Sequence, residues 1–426
     1  MQRGKRLMGL LIMLLIHGAV CGQFPNVVID DKGRPEEPSI CLDPKHPNRM
    51  VAGANIRYAY YSSDTGRTWH KQALKSQWKV AGDPCIIVDT SGVFYYFSLS
   101  NAESWLDRMI CKRSTDGGQS WPEESFIGFN VLKDQDKEWA AVDPATNTLY
   151  LTWTQFDKYA SKEPFDSTHI LFARSEDGGK TWTDPLRIND RGGDCLDDDN
   201  TVEGAVPAIG PKGEVYVAWA GPAGIRLDCS MDQGKTWMSH DILVDSQPGG
   251  WSYDIPGIYR CNGLPVTLCD HSRGPYRGRV YVHWSDQRNG VEDTDIWLAR
   301  SDDGGMKWST PVRVNTDTTA SHQFMSWMTI DQTTGYLWSV FYDRRNHPGN
   351  DSTDVYLAWS TDGGAHFKDV KISESPFLPR KHVFFGDYIN IVAHDGIIRP
   401  IWTAMKGRRL RVLTALVDGH RLTQAP

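Results

Sequence analysis

Six copies of one short pattern, Ser-x-Asp-x-Gly-x-Thr-Trp, constrain the fold of this chain more than any other feature. The first two copies are Ser62–Trp69 and Ser114–Trp121. The others start at Ser175, Ser230, Ser301 and Ser360, and the last two vary at the Thr or Trp position. Because the copies recur at irregular spacing, a structural unit repeats while the loops between units vary in length.

Each copy follows the same succession of strand-like segments. A hairpin comes first, as in Ile86–Val88 and Val93–Tyr96 around the turn Asp89–Gly92, with β-branched and aromatic residues on both sides. A third segment such as His169–Arg174 leads into the repeated pattern, and a fourth leaves it. Four antiparallel strands per unit are typical of a propeller blade.

The hairpins outnumber the repeated patterns by one. Seven hairpins begin at Ser39, Pro84, Glu138, Gly204, Val266, Ser326 and Asp387. The seventh is followed by Arg411–Val417 but by no copy of the pattern, so one outer strand is missing there, and Asn26–Asp30 can supply it. The sequence therefore predicts an all-β, seven-bladed propeller of four-stranded blades, closed by its N-terminal strand. A six-bladed propeller is the alternative.

The repeated pattern itself is interpreted as scaffold. It lies between third and fourth strands, where the Asp can accept hydrogen bonds from its own turn, the Gly supplies the required dihedral angles and the Trp packs between blades. These turns are expected on the outer rim of the face opposite the ligand-binding one.

The start of the chain has the pattern of a secretory signal peptide. Basic residues precede the apolar run Leu7–Ile16 and small residues follow it, and ten apolar residues are too few to span a bilayer. We predict a signal peptide over 1–22, a single propeller domain over 23–426, no transmembrane segment, and a secreted or periplasmic protein. Lipid anchoring at Cys21 is the alternative.

Charge and cysteine content narrow the partners further. The formal net charge of −7, which becomes more negative once the basic signal segment is removed, argues against nucleic acid. Most cysteines lie in apolar strand-like runs, where a buried thiol is expected. Cys261 and Cys269 could form a disulfide across a short loop in an oxidising compartment. No spacing suggests zinc.

The repeats resemble the Asp-box, or BNR, repeats of the sialidase superfamily, and the mature chain resembles secreted bacterial propellers of the sialidase-like kind. The resemblance implies a β-propeller that is a hydrolase, a lyase or a binding module. Sialidases are six-bladed and carry an Arg-Ile-Pro motif, three arginines that clamp the substrate carboxylate, an Asp acid/base and a Tyr nucleophile activated by Glu. Here the corresponding region reads Gly33-Arg34-Pro35-Glu36-Glu37-Pro38, so that tripeptide is absent.

Acidic residues mark the starts of the predicted innermost strands. If the ring closes as predicted, five of them converge on one mouth of the central channel: Glu37, Asp83, Glu138, Glu203 and Asp387. Five carboxylates close together are not all ionised without cations, so shifted pKa values or a bound cation are expected. We name Glu203 and Asp387 as the first catalytic candidates, Glu138 and Asp83 next, Glu37 as a substrate-binding candidate, and Tyr342 or Tyr388 as a nucleophile or hydrogen-bond partner.

The candidate arginines come from a duplicated motif, Asp-x-Arg-Asn. It follows a predicted second strand at Asp286–Asn289 and again at Asp343–Asn346. Its arginines, Arg288 and Arg345 with the neighbouring Arg344, either clamp an anionic ligand or brace a loop against its own Asp, and duplication favours the brace.

The loop Gly193–Glu203 is rich in acidic residues. Asp197 and Asp199 are candidate ligands of Ca²⁺, although the spacing matches no known calcium loop. A solvated acidic loop is the alternative.

Two functions remain open. The first is a glycoside hydrolase that acts on a glycan with two carboxyl groups at the channel mouth, one protonated and one ionised, and needs no cofactor. The second is a non-catalytic propeller that binds a glycan or a protein, with its ring held by calcium. The resemblance favours the enzyme slightly.

Overall fold

In the computed structural model, which describes residues 24–424, the chain forms a ring of seven antiparallel sheets. The predicted signal peptide and Cys21 lie outside the described residues. Within them, no helix has the length and apolar character needed to cross a bilayer. The seven sheets confirm the seven-bladed prediction, and the six-bladed alternative is wrong.

The first four blades take their strands in chain order from the channel outward. A short strand, β1 (Asn26–Asp30), precedes them. Blade 1 contains β2 (Ser39–Leu42), β3 (Met50–Ala54), β4 (Tyr58–Ser62) and β5 (His70–Ala73); blade 2 contains β6 (Gly82–Val88), β7 (Phe94–Ser100), β8 (Arg108–Ser114) and β9 (Glu123–Ile127). Blade 3 contains β10 (Asp134–Val142), β11 (Leu149–Phe156), β12 (Thr168–Ser175) and β13 (Leu186–Arg187); blade 4 contains β14 (Glu203–Ile209), β15 (Val215–Ala220), β16 (Ile225–Ser230) and β17 (Ile242–Asp245).

The last three blades complete the ring. Blade 5 contains β18 (Val266–Cys269), β19 (Val280–Asp286), β20 (Asp295–Ser301) and β21 (Val312–Arg313); blade 6 contains β22 (Gln323–Asp331), β23 (Tyr336–Asp343), β24 (Asp354–Ser360) and β25 (Lys368–Lys371). Blade 7 contains β26 (Asn390–His394), β27 (Ile397–Lys406) and β28 (Arg409–Ala415), with β29 (Val417–Asp418) also paired to β27 and a short helix α1 (Gly419–Gln424) after it.

Closure of the ring follows the prediction. β1 pairs antiparallel with β28, with Asn26 opposite Ala415, and so becomes the outer strand of blade 7. The side chain of Asn26 also joins blade 6, because it donates to the carbonyl of Ile372 at 2.9 Å and accepts from the amide of Glu374 at 2.9 Å. The strand from the start of the chain therefore holds its last two blades together.

The core of the described chain lies between the blades. Seven clusters of buried apolar side chains each bridge two neighbouring sheets. The largest buried side chains include one Trp from the second strand of each of five blades: Trp153, Trp219, Trp284, Trp338 and Trp402. A flat sheet that is apolar on both faces is stable only when other sheets cover both faces, which the ring provides.

The Asp-box turns satisfy their own polar groups. In the third copy, Asp177 Oδ1 accepts from the amides of Lys180 and Thr181 at 3.0 and 2.9 Å, and its other oxygen accepts from the Thr181 hydroxyl at 2.6 Å. The Trp of the same copy, Trp182, packs edge-on against Phe97 of the preceding blade. In the copies that begin at Ser114, Ser230 and Ser360, the hydroxyl of that Ser donates to the Asp carboxylate of the same copy at 2.8 Å. The box is scaffold, as interpreted from the sequence.

The disulfide suggested by the sequence does not form. The seven cysteines of the described chain are all free thiols. Cys261 lies in the cluster between blades 6 and 7, whereas Cys269 lies in the cluster between blades 4 and 5, so the two pack in different cores.

Candidate functional site

The innermost strands β2, β6, β10, β14, β18, β22 and β26 contact one another in ring order and enclose the channel. In a four-stranded antiparallel blade, the turn between the third and fourth strands lies at the end opposite to the start of the innermost strand. The Asp boxes, which form these turns, therefore occupy the face opposite to the starts of the innermost strands. The five predicted acids lie at those starts, and contacts across the channel join several of them. We call this end the channel mouth.

Asp387, just before β26, is the best-connected acid of the mouth. Lys137 Nζ donates to its Oδ2 at 2.7 Å, and Arg260 Nε donates to its Oδ1 at 3.0 Å, while a second nitrogen of that guanidinium contacts Oδ2. Its side chain is 1% exposed. Burial opposes ionisation, but the charges of Lys137 and Arg260 prevail and hold the pKa of Asp387 well below its ordinary value. Asp387 is therefore an ionised carboxylate that pairs with two cations.

Neither cation was found by sequence reasoning. Lys137 lies in β10 beside the predicted Glu138, and its Nζ is also 3.7 Å from Asp83 Oδ2. Arg260 lies in the long connection between β17 and β18, where no repeat pattern marks it. Its guanidinium also donates to Asp197, and so draws the acidic loop into the mouth.

Glu37 and Asp83 join the same network through Asn55. The Asn55 side chain donates to Glu37 and accepts from the amide of Asp83 at 2.7 Å. Glu37 Oε1 also accepts from the amide of Asp387 at 3.0 Å. Burial, followed by the charge of Asp83, raises the pKa of Glu37 well above its ordinary value. The starts of blades 1, 2 and 7 are thereby fixed relative to one another.

Glu138 and Glu203 differ from these acids because their carboxyl oxygens have no hydrogen-bond partner. Both side chains are buried, with residues 2% and 0% exposed. Burial raises the pKa of each well above its ordinary value, and nearby charges add to the effect, led by Asp83 for Glu138 and by Asp197 for Glu203. Both carboxyl groups are consequently driven toward the neutral, protonated form.

The candidate metal ligands in the acidic loop are occupied by protein donors. Asp197 accepts from Arg260 and from the Tyr159 hydroxyl, and Asp199 Oδ1 accepts from the amide of Ser252 at 2.7 Å. Among residues 24–424, no three His, Cys, Asp or Glu side chains are grouped so that they could hold a metal ion.

Backbone strain coincides with the charged groups. Glu37, Asp83 and Lys137 all have left-handed φ angles, of 51°, 55° and 51°. Each lies six positions before the Asp that directly follows its strand, at Asp43, Asp89 and Asp143 respectively. Non-glycine residues in this region cost about 1–3 kcal/mol each and cluster at functional sites. In blades 1, 2 and 3 the repeat therefore places one charged side chain on a strained backbone.

Beside the charged groups, three aromatic rings line the channel. Trp139 and Trp327 occupy equivalent positions in β10 and β22, and their rings lie 4.3 Å apart. The ring of Tyr388 packs edge-on to Trp139 at 5.6 Å, and its hydroxyl donates to the carbonyl of Pro84 at 3.4 Å. These rings line one cavity together with Asp83, Lys137, Glu138 and Asp387, so the mouth has an apolar floor under polar walls.

Tyr342 and the candidate arginines lie apart from this cavity. Tyr342 is 0% exposed within the core between blades 6 and 7, and its hydroxyl donates to the carbonyl of Thr403 at 2.6 Å. Arg288 binds Asp286 and Asp245, and Arg345 binds Asp343 and Asp369. Arg344 is buried over the ring of Phe324. The duplicated motif therefore braces neighbouring strands and loops, and Tyr342 is a core residue.

The comparisons with known proteins agree with this architecture. Residues 278–418 match the family model described as a BNR repeat-like domain. The chain is a seven-bladed β-propeller with BNR-like repeats over part of its length. A search of curated protein sequences gave no significant match.

Several solved structures are similar. A Dyadobacter fermentans protein of unknown function matches at 12% identity and a TM-score of 0.52, over 92% of this chain and 97% of that chain. The Hadza microbial sialidase Hz136 matches at 14% identity and 0.47, over 86% and 73% of the two chains. A Trypanosoma rangeli sialidase in complex with 2,3-difluorosialic acid matches at 14% and 0.46, over 82% and 57%. The first likeness concerns the fold alone, and no chemistry follows from the other two.

Proposed function

We propose that the channel mouth is the active site of a glycoside hydrolase. One observation carries the proposal: a single buried cluster holds one carboxylate kept ionised by two cations, Asp387, beside carboxyl groups without partners that favour the protonated form, Glu138 and Glu203. Environments that push the pKa values of neighbouring acids apart are how glycosidases divide the roles of acid and anion.

The roles follow from position and protonation. Glu138 lines the same cavity as Asp387, so we assign it as the general acid that protonates the leaving oxygen. Asp387 is the anion that stabilises the positive charge developing on the sugar ring, and Lys137 and Arg260 keep it ionised and oriented. Water from the open side of the mouth adds to the anomeric carbon as the glycosidic C–O bond breaks, and the proton that this water loses returns to Glu138. The apolar floor formed by Trp139, Trp327 and Tyr388 lies beneath the ring.

The test is a panel of oligosaccharides incubated with the mature protein, with release of new reducing ends as the readout. We expect cleavage of at least one glycan, and Glu138→Gln should lower its rate by about 10²–10⁴-fold because the proton donor is lost. Glu176→Gln, an equally sized change in an exposed Asp-box turn on the other face, should leave the rate unchanged. An equal loss in both variants, or none in Glu138→Gln, would remove the assignment.

A glycan-binding protein without catalysis is the second candidate. It is favoured by the complete engagement of Asp387 by Lys137 and Arg260, which leaves that carboxylate 1% exposed. In that case glycans should bind at the mouth and be recovered intact, with no new reducing ends.

A further inference from the structure

A second cavity opens beside the channel mouth, at the junction of blades 1 and 7. Its volume is about 540 Å³. Its walls include Arg34 and Glu36 before β2, Arg57 between β3 and β4, and Phe384 before β26. We call this space the side cavity.

Two contacts connect the side cavity to the mouth. Glu36 is followed directly by Glu37, whose carboxyl group accepts from the amide of Asp387 at 3.0 Å. The ring of Phe384 lies 5.7 Å from the guanidinium carbon of Arg260, which pairs with Asp387. A glycan whose reacting unit lies over Asp387 therefore has its neighbouring unit beside the side cavity.

The side cavity holds two cations that the protein does not pair. Arg34 and Arg57 are exposed, and within residues 24–424 their guanidinium groups have no carboxylate or hydrogen-bond partner. At the mouth, by contrast, Lys137 and Arg260 each pair with two carboxylates. A ligand anion that binds Arg34 and Arg57 displaces no internal partner, so no buried carboxylate loses its compensation.

Glu36 adds a third polar group to the same cavity. The residue is 9% exposed, and its Oε2 has no hydrogen-bond partner. Burial, followed by the charge of Asp83, raises the pKa of Glu36 to about 8. At neutral pH its carboxyl group is therefore protonated, so it can donate to an anion and does not compete for Arg34 and Arg57.

We propose that the side cavity binds a sulfate ester on the sugar unit next to the one held at the mouth. This inference rests on the proposed function above, because it takes the ligand of the mouth to be a glycan. A sulfate ester has three terminal oxygens in a tetrahedral arrangement, and Arg34, Arg57 and Glu36 offer donors from three separate places. A planar carboxylate has two oxygens, which a single guanidinium fork already satisfies.

The remaining wall of the side cavity fits the sugar ring that carries the sulfate. Ile56, which is 56% exposed, and the ring of Phe384 give it an apolar surface. Aromatic and aliphatic side chains of this kind pack against the apolar face of a ligand while polar groups fix its orientation. The unit to be cleaved stays at the mouth, so the side cavity selects its neighbour.

Binding of the sulfate should weaken above about pH 8, where Glu36 loses its proton and repels the anion. Affinity should then fall by up to about tenfold per pH unit, because one proton is taken up on binding. The charged and titratable groups that face Glu36 are Asp83, Glu37, Asp387, Lys137, Arg34 and Arg57. Glu36→Gln carries a neutral donor at every pH, so its preference for sulfate should not change in this range. An unchanged slope in this variant would overturn the role of Glu36.

The experiment is calorimetric titration of the protein with three tetrasaccharides: a sulfated galactose tetrasaccharide, the same compound after removal of its sulfate esters, and a galacturonic acid tetrasaccharide. We expect the sulfated probe to bind about tenfold more tightly than the desulfated one. Arg34→Gln and Arg57→Gln should each bring this ratio close to one. Arg67→Gln makes the same change at an exposed arginine in the Asp-box turn of blade 1, on the opposite face, and should keep the ratio.

The outcomes separate this inference from the proposed hydrolase. A preference for the sulfated probe that Arg34→Gln and Arg57→Gln reduce, without cleavage of any glycan, supports the side cavity and removes the hydrolase. Cleavage of glycans without a preference for sulfate supports the hydrolase and overturns the side cavity. A preference for the galacturonic acid probe overturns the sulfate assignment in favour of a carboxylate. Inorganic sulfate that binds as tightly as the sulfated probe overturns the assignment to a glycan.

Discussion

Asp177 in an Asp-box turn and Glu203 at the channel mouth carry the same functional group in opposite circumstances. Asp177 is exposed and accepts hydrogen bonds from its own turn; burial opposes its ionisation, but the bonds from Thr181, Ser175 and Lys180 prevail and lower its pKa to about 2. Glu203 is fully buried and accepts none, and its pKa is raised. The repeat thus satisfies its carboxylates at one face and leaves carboxyl groups unsatisfied at the other.

The contrast shows how a repeat protein separates stability from function. The Asp-box acids, which recur in six of the seven blades, are paired locally, whereas Glu138 and Glu203, which lack partners, lie where blades converge. Carboxylates stabilise the fold at the boxes, whereas at the mouth the fold bears the cost of two carboxyl groups without partners.

The largest effect on the free energy of unfolding is expected from removing the charge of Asp387 at the channel mouth. Asp387→Asn leaves Lys137 and Arg260 without their shared buried partner, and the free energy of unfolding should fall by about 3 kcal/mol. Urea denaturation at neutral pH measures this. Asp302→Asn, which breaks the exposed pair with Arg279, should cost far less. Similar costs for both substitutions would mean that the mouth network is no more than a surface one.

A smaller effect on the free energy of unfolding, in the stabilising direction, is expected when Glu203 is replaced. Because the folded state raises the pKa of Glu203, the unfolded state ionises first, and stability is lost as pH rises from the unfolded value of about 4.3 toward the folded one. Glu203→Gln removes this penalty, so the variant should be more stable than the wild type at neutral pH by about 2 kcal/mol, within the cost of burying an unsatisfied polar group. The gain should vanish below about pH 4, where both states of the wild type become protonated. Thermal denaturation across this range, with Glu176→Gln as the control, measures it; a gain that does not depend on pH would contradict the account.

The smallest effect on the free energy of unfolding is expected from replacing Asp177 in an Asp-box turn. Asp177→Ala removes several hydrogen bonds of an exposed turn and should cost about 1 kcal/mol, without changing glycan binding at the other face. Its contribution should persist down to about pH 4, the unfolded pKa of Asp, and be lost as pH falls toward about 2. Asp184→Ala, an exposed neighbour, is the control. A binding defect in Asp177→Ala alone would show that the boxes communicate with the mouth.

The fold could be predicted because its signals are local. Alternating apolar residues, Asp and Gly turns and the repeated box mark each blade within its own segment, and a missing outer strand beside the spare segment Asn26–Asp30 indicated both seven blades and their closure. These features depend on residues that are neighbours along the chain, and ring closure only arranges the blades around the channel.

The site could be predicted only in part. The starts of the inner strands indicated Glu37, Asp83, Glu138, Glu203 and Asp387, but which acids are paired depends on side chains from other blades. Lys137 could have been found, because it occupies the same position before its Asp as Glu37 and Asp83 do. Arg260 lies in a long connection with no counterpart in other blades, so nothing in the repeat marks it. Tyr342 resembled a nucleophile in sequence although its hydroxyl is bound to the carbonyl of Thr403.

The pairing of β1 with β28 sets an order for biosynthesis. β1 is synthesised before all seven inner strands, whereas its partner β28, residues 409–415, follows them all. Until then β1 and the earlier blades present an open sheet edge, on which other chains can pair. We therefore expect assembly to finish only after β28 has left the ribosome, which makes the interval before closure the period of greatest exposure to aggregation and proteolysis.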